Sequence, residues 1–241
     1  MGRNKQVKSI VAKIQSPNLI FRPKHPQQLE ALHCCEDNAI TFLTGPAGCA
    51  KTFVATWYAI ASAVQRRFDK IYVSRPAVTS GAEIGFTPGG VEEKMKHFLQ
   101  PVYGARDKIG SQGLDQIKTF FEVVPLCYIR GRTIENAIMI VDEAQNLTAD
   151  EVFTLVTRVG EGGKILICGD TDQNDLYDGF SVLELAAATY EGARVHGRSV
   201  GWYQFTADAI VRDPLTRELV SRTMSADWYK NRHRSRRQTG R

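Results

Sequence analysis

Three short stretches of this 241-residue chain carry residue types that could do chemistry together. The first is Thr44–Thr52, TGPAGCAKT, where an apolar run (Ala39–Leu43, AITFL) breaks into a glycine-rich turn and a Lys-Thr pair. The apolar stretch Phe53–Asp69 behind it predicts a helix. Strand, glycine loop, Lys-Thr and helix in that order form a phosphate cradle, because loop amides and the positive helix end wrap an oligophosphate. Lys51 would reach the β- and γ-phosphates and the Thr52 hydroxyl would ligate Mg²⁺. Gly45, Pro46, Ala47, Gly48, Cys49, Ala50, Lys51, Thr52 and Phe53 are thus expected to line a nucleotide site. The usual pattern has glycine where Ala50 stands. A methyl fits there if the residue has helical dihedrals, which its place at the helix start predicts. Taken by itself, the loop also reads as a glycine turn capping a helix.

The second stretch is Ala137–Gln145, AIMIVDEAQ, a buried-strand pattern that delivers two acids at its C-terminal tip. Asp142 would hold Mg²⁺ through water, and Glu143 would polarise an attacking water. A surface turn is the alternative, and it weakens about 90 residues behind a phosphate loop. The third is Lys164–Gln173, where another apolar run ends in GDTDQ. Gln173 at that tip would sense the γ-phosphate and the attacking water.

Elements must bring these tips to one edge. Lys70–Ser74 reads as a second buried parallel strand, joined to the first by the helix in a right-handed βαβ unit. Pro26-Gln27-Gln28-Leu29 opens a helix upstream of the loop, with Leu29, Leu32 and Cys35 on one face. Gln28 either pairs with an adenine edge or is an ordinary exposed helix residue. Residues 75–90 are rich in Gly, Pro, Thr and Ser and predict a long loop lining the ligand crevice. Residues 92–103 and 114–121 look like amphipathic helices, and 121–129 contains a third strand. Residues 149–159 are predicted helical, with Thr148 as N-cap and Glu151 at N3. A helix over 181–190, a last strand over 199–206 and a helix from Pro214 to about Met224 complete an α/β fold, a mostly parallel twisted sheet with helices on both faces.

Composition is that of a globular protein, 43% hydrophobic and 24% charged. No apolar run reaches membrane-spanning length and MGRNKQVK is unlike a signal peptide, so a cytoplasmic protein without membrane contact is expected. The net charge of +5 is uneven. Residues 1–29 and 230–241 each carry six Lys or Arg and no acid, which leaves −7 for residues 30–229. Basic ends of this kind attract phosphate backbones in a salt-dependent way, or simply keep a chain soluble. The expected organisation is a basic lead-in (1–25), one domain (26–224) and a disordered basic tail (225–241). Five cysteines lack C-x-x-C spacing, so no zinc site is expected. Cys127 and Cys168 read as core residues. Cys49, beside Lys51 and a helix N-terminus, reads as a thiol of lowered pKa open to oxidation. The N/TKxD-type guanine reader is missing, which favours ATP over GTP.

Together, GPAGCAKT (45–52), SRPAVTSGAEIGFTPG (74–89), RGRTIENAIMIVDEAQN (130–146) and GDTDQNDL (169–176) resemble the PhoH family, including bacteriophage PhoH-like proteins. The resemblance covers roughly residues 20–223 and implies a RecA-like P-loop NTPase core of the superfamily-one helicase type. By that resemblance Gly45, Gly48, Lys51, Thr52, Asp142, Glu143 and Gln173 inherit nucleotide and hydrolysis roles, and Gln28 reads adenine. Ala50 departs from the family's glycine, which puts turnover in doubt more than binding. The family is described as ATPases linked to phosphate starvation and RNA metabolism. A single lobe lacks the arginine that a second lobe gives the γ-phosphate, so the resemblance implies a homo-oligomer, a hexamer in some relatives. Arg130 and Arg132 are the first candidates for a neighbour's arginine finger, with Arg158 and Arg212 behind them. Three function classes follow: an ATPase acting on RNA or single-stranded DNA, a nucleotide-dependent interaction switch, and, least favoured, a small-molecule kinase.

Overall fold

The structure, a computed structural model, describes residues 19, 21–76, 100–110, 117–170 and 181–227. Gln173, most of the 75–90 loop, most of the basic N-terminal end and the tail from residue 228 lie outside the described residues. In chain order the elements are α1 (Pro26–Asp37), β1 (Ile40–Thr44), α2 (Lys51–Val64), β2 (Lys70–Ser74), α3 (Gln100–Gly110), α4 (Ile117–Phe120) and β3 (Phe121–Val123). They continue with β4 (Ala137–Val141), α5 (Ala149–Val156), β5 (Lys164–Gly169), α6 (Val182–Tyr190), β6 (Arg194–Val195), β7 (Arg198–Gln204) and α7 (Pro214–Ser225).

The seven described strands form one sheet in the order β3-β2-β4-β5-β1-β7-β6. All pairings are parallel except the β6–β7 hairpin. The phosphate-loop strand β1 lies between β5 and β7, with Leu43 opposite Cys168 and Tyr203. Strands buried on both faces alternate between two cores. Leu43, Ile138, Ile140, Leu166 and Cys168 face α1, α2 and α3, whereas Phe42, Met139, Val141, Ile165 and Ile167 face α5 and α6. The expected α/β class is what the chain adopts, with helices on both faces. Among the described residues no helix is long and apolar enough to cross a membrane.

Several boundaries differ from the sequence reading for local reasons. The third strand stops at Val123, because Pro125 cannot donate to a ladder, and a 3-10 turn covers Leu126–Gly131. That turn exposes Cys127, which was expected in the core; Cys168 is buried. The helix α2 ends at Val64, where Arg66 turns left-handed (φ 58°). His196 and Gly197, both at positive φ, make the two-residue turn of the β6–β7 hairpin, which the sequence reading lacks. Leu19 and Phe21, from the expected lead-in, are core residues, with the Phe21 ring 4.7 Å from that of Trp57.

Candidate nucleotide site

The loop between β1 and α2 is shaped by three positive φ angles. Gly45 (φ 135°) runs so close to the segment after β7 that a Cβ would sit 2.6 Å from the Phe205 carbonyl oxygen. Gly48 has φ 91°. Ala50, expected to be helical, is left-handed instead (φ 73°, ψ 27°). It caps α2, and its carbonyl accepts from Val54 N at 2.9 Å, so the chain must reverse hand at this residue to enter the helix. Holding an alanine there costs about 1 kcal/mol, a strain the glycine of the usual pattern avoids.

Lys51 folds back over the loop, its Nζ donating to the Gly45 and Pro46 carbonyls at 2.6 and 2.9 Å. Cys49 is buried, with Sγ donating to the Pro46 carbonyl at 3.0 Å. Burial pushes its thiol pKa up and outweighs the lowering by Lys51, which overturns the expectation of a reactive thiolate. Phe53, on the first turn of α2, lines the cavity beside Ala47, Gly48 and Thr52.

The acidic tip meets this loop directly. Thr52 Oγ1 donates to Asp142 Oδ1 at 2.7 Å, across a separation of 90 residues. Asp142 is 3% exposed, and its second oxygen, Oδ2, is buried without a hydrogen-bond partner. Burial raises its pKa, the adjacent Glu143 adds to this, and the Thr52 hydroxyl opposes both. A buried carboxylate with an idle oxygen beside a hydroxyl is a hard, all-oxygen donor pair, which suits Mg²⁺. Thr52 and Asp142 fit that ion.

Glu143 is itself left-handed (φ 53°) at the mouth of the site. Its Oε2 accepts from Gln145 Nε2 at 2.6 Å, and its Oε1 lies 3.7 Å from Arg75 Nη2 at the tip of β2. Gln145 Oε1 in turn accepts from Asp170 N at 3.0 Å. Gly169 permits this link, since a Cβ there would come 2.8 Å from Gln145 N. The sequence reading gave Gln145 no role, because only the pairing of β4 with β5 brings the two motif tips side by side. Lys51, Thr52, Asp142, Glu143, Gln145 and Asp170 border a cavity of roughly 320 Å³ that also includes Arg212.

Other expected residues lie elsewhere. Gln28 is buried rather than exposed, its Oε1 accepting from Lys24 N at 2.9 Å, and it does not line this cavity. Its neighbour Gln27 instead joins α1 to the segment after β7 through two hydrogen bonds with Thr206. Arg130 and Arg132 sit at the β3 edge, four strand steps (roughly 19 Å) from β1. Arg132 is tied to Glu122 at 2.9 Å, and Arg130 borders a separate groove with Glu151 and Leu155. Arg158 donates to the Arg130 carbonyl.

Comparison with known proteins agrees with the family read from the motifs. Residues 20–223 match the family described as PhoH-like protein. A PhoH-like protein of Synechocystis sp. is 33% identical over 220 residues, covering 88% of this chain and 65% of that protein. One of Bacillus subtilis is 35% identical over 204 residues, covering 83% of this chain and 63% of that protein. The chain therefore spans less than two thirds of the length of these relatives. Among solved structures, the large terminase of a thermophilic bacteriophage superposes with a TM-score of 0.53 at 15% identity, over 87% of this chain and 52% of that one. This likeness concerns the fold alone. With its glycine loop, Lys-Thr pair and Asp-Glu tip assembled on a RecA-like sheet, the chain belongs to the PhoH-like protein family and is a P-loop NTPase-like protein.

Proposed function

We propose that this chain binds ATP with Mg²⁺ and hydrolyses it, and that it acts on RNA or single-stranded DNA. The observation that carries the reading is the Thr52–Asp142 hydrogen bond, 2.7 Å long, with Asp142 Oδ2 idle beside it. In this reading the amides of Gly48–Thr52 cradle the phosphates, and Lys51 exchanges the Gly45 and Pro46 carbonyls for the β- and γ-phosphates. Thr52 and Asp142 hold Mg²⁺, which when bound neutralises phosphate charge. Glu143 accepts a proton from the attacking water as the water oxygen bonds to the γ-phosphorus and the bond to the β-phosphate bridging oxygen breaks, releasing ADP and phosphate. Gln145 fixes the Glu143 carboxylate, and Gln173 senses the γ-phosphate. Gln28, buried with its amide oxygen engaged, can offer its amide nitrogen to an adenine edge only once nucleotide binding uncovers it.

Arg75 pairs with Glu143 at the tip of β2, at the start of the loop assigned to nucleic acid, and the basic ends add salt-dependent affinity. Polynucleotide is therefore expected to stimulate turnover. A homo-oligomer would bring Arg130 or Arg132 of a neighbour towards the site. A second reading, an interaction switch, keeps ATP binding and gives the chemistry to a partner. ATPase assays of wild type and Glu143→Gln, with and without polynucleotide and beside a mass measurement in solution, decide between them. Turnover that Glu143→Gln abolishes and polynucleotide stimulates supports the enzyme. ATP binding with no turnover supports the switch, and no adenine-nucleotide binding ends both readings.

A further inference from the structure

The segment after β7 returns across the phosphate loop. It forms a short 3-10 turn (Ala207–Ala209), buries Ala209 and Ile210, and then docks Val211 N on the Gly48 carbonyl at 3.1 Å. The next residue, Arg212, lies flat against Gly48: a Cβ on that glycine would be 3.0 Å from Arg212 Cγ, Cδ and Nε. Gly48 is thus small for two reasons, its φ of 91° and the arginine stem lying over it. The only neighbouring acid in sequence is Asp213, and its carboxylate is spent as the N-cap of α7, accepting from Leu215 N at 2.9 Å. Among the described residues no ion pair or hydrogen bond holds the Arg212 guanidinium. It shares the cavity of Lys51, Thr52, Asp142 and Glu143. A solvent-exposed arginine with its stem fixed, its head free and its cavity lined by phosphate-binding groups is placed to take an anion.

We propose that Arg212 is the arginine of the hydrolytic site, supplied by the same chain that holds the nucleotide. Its guanidinium binds the terminal phosphates of a nucleoside triphosphate and offsets charge that builds in the transition state. The cation expected from a neighbour's Arg130 or Arg132 is then unnecessary for turnover. The inference rests on the nucleotide reading above but is separable from it, because it predicts discrimination between triphosphate and diphosphate and independence from a second chain.

The test compares wild type with Arg212→Met, which keeps the stem on Gly48, and Arg212→Lys, which keeps a charge. Expected are a fall in kcat of about 10³-fold in Arg212→Met, smaller in Arg212→Lys, and affinity for the imido analogue of ATP about tenfold weaker with ADP affinity nearly unchanged. Mixing Arg212→Met with Lys51→Ala chains, each inactive alone, should restore nothing. Restored turnover would mean the arginine acts across an interface. Equal weakening of ADP and the analogue would place Arg212 on the base or the shared phosphates, and unaltered analogue binding and turnover would leave it a surface residue; each of these outcomes overturns the proposal. Failure of wild type to bind either nucleotide would instead sink the nucleotide site itself, and Arg212 with it.

Discussion

Lys51 and Lys164 occupy opposite edges of the same sheet, and each donates its ammonium to backbone carbonyls. Lys51 follows β1 at the C-terminal edge, half-buried, and holds two carbonyls of its own loop, Gly45 and Pro46. Lys164 opens β5 at the N-terminal edge, 6% exposed, and donates to the Cys35, Glu36 and Asn38 carbonyls at the end of α1, with the Tyr58 ring 5.1 Å away. The first borders an open cavity, so phosphate oxygens can replace its carbonyls. The second is enclosed at the negative end of a helix, and nothing can exchange with it. The same side chain is held in reserve for a ligand at one edge and committed to the fold at the other. The difference lies in enclosure and in whether the carbonyls belong to a loop or to a helix end.

Four measurements test this contrast. The largest effect is expected from Lys51→Ala, which should cut turnover by about 10³-fold or more while leaving the unfolding free energy within about 0.5 kcal/mol of wild type. Equal loss of stability would mean that Lys51 is structural too. Next comes Lys164→Met, which strands three carbonyls and should cost about 3 kcal/mol of unfolding free energy, with kcat per folded molecule unchanged. A fall in kcat without loss of stability would dissolve the division of labour.

The third is a pH profile. Burial pulls the Lys164 pKa down from 10.5 to about 8, so between those values the unfolded chain binds more protons than the folded one. The stability of wild type relative to Lys164→Met should therefore rise from pH 8 towards 10.5, by at most about 1.4 kcal/mol per pH unit, read from urea midpoints of both proteins. A flat difference would show that the three carbonyls hold the proton on throughout. The smallest effect belongs to Ala50→Gly. Relief of the left-handed alanine, partly offset by the freer unfolded chain, should raise stability by about 0.5 kcal/mol. A loss would mean that the methyl contributes packing.

Much of this architecture was legible in advance. Lys70–Ser74 is read to the residue, and the apolar run ahead of Asp142 and Glu143 is the strand Ala137–Val141, because such runs bounded by polar residues leave few alternatives for strands buried on both faces. The capping box at Thr148 and Glu151 is likewise as expected, since its donors and acceptors are three residues apart. Residue type and spacing misread the loops, where backbone geometry and burial decide. Ala50 takes a left-handed conformation where the loop turns into α2, and Cys127 is exposed because Pro125 ends its strand. Burial in the folded loop raises the Cys49 pKa that its sequence neighbours were expected to lower.

From sequence alone came the family, the phosphate loop, the two acidic tips and their order, since motifs of fixed spacing and strands of uniform hydrophobicity are local properties. Tertiary structure alone decided that Thr52 hydrogen-bonds Asp142, that Gln145 links Glu143 to the Asp170 amide, and that Arg212 rather than Arg130 or Arg132 lies on the phosphate loop. Those contacts join residues 2 to more than 160 positions apart. They are fixed by strand order and by where the chain returns after its last long strand, neither of which any local pattern encodes.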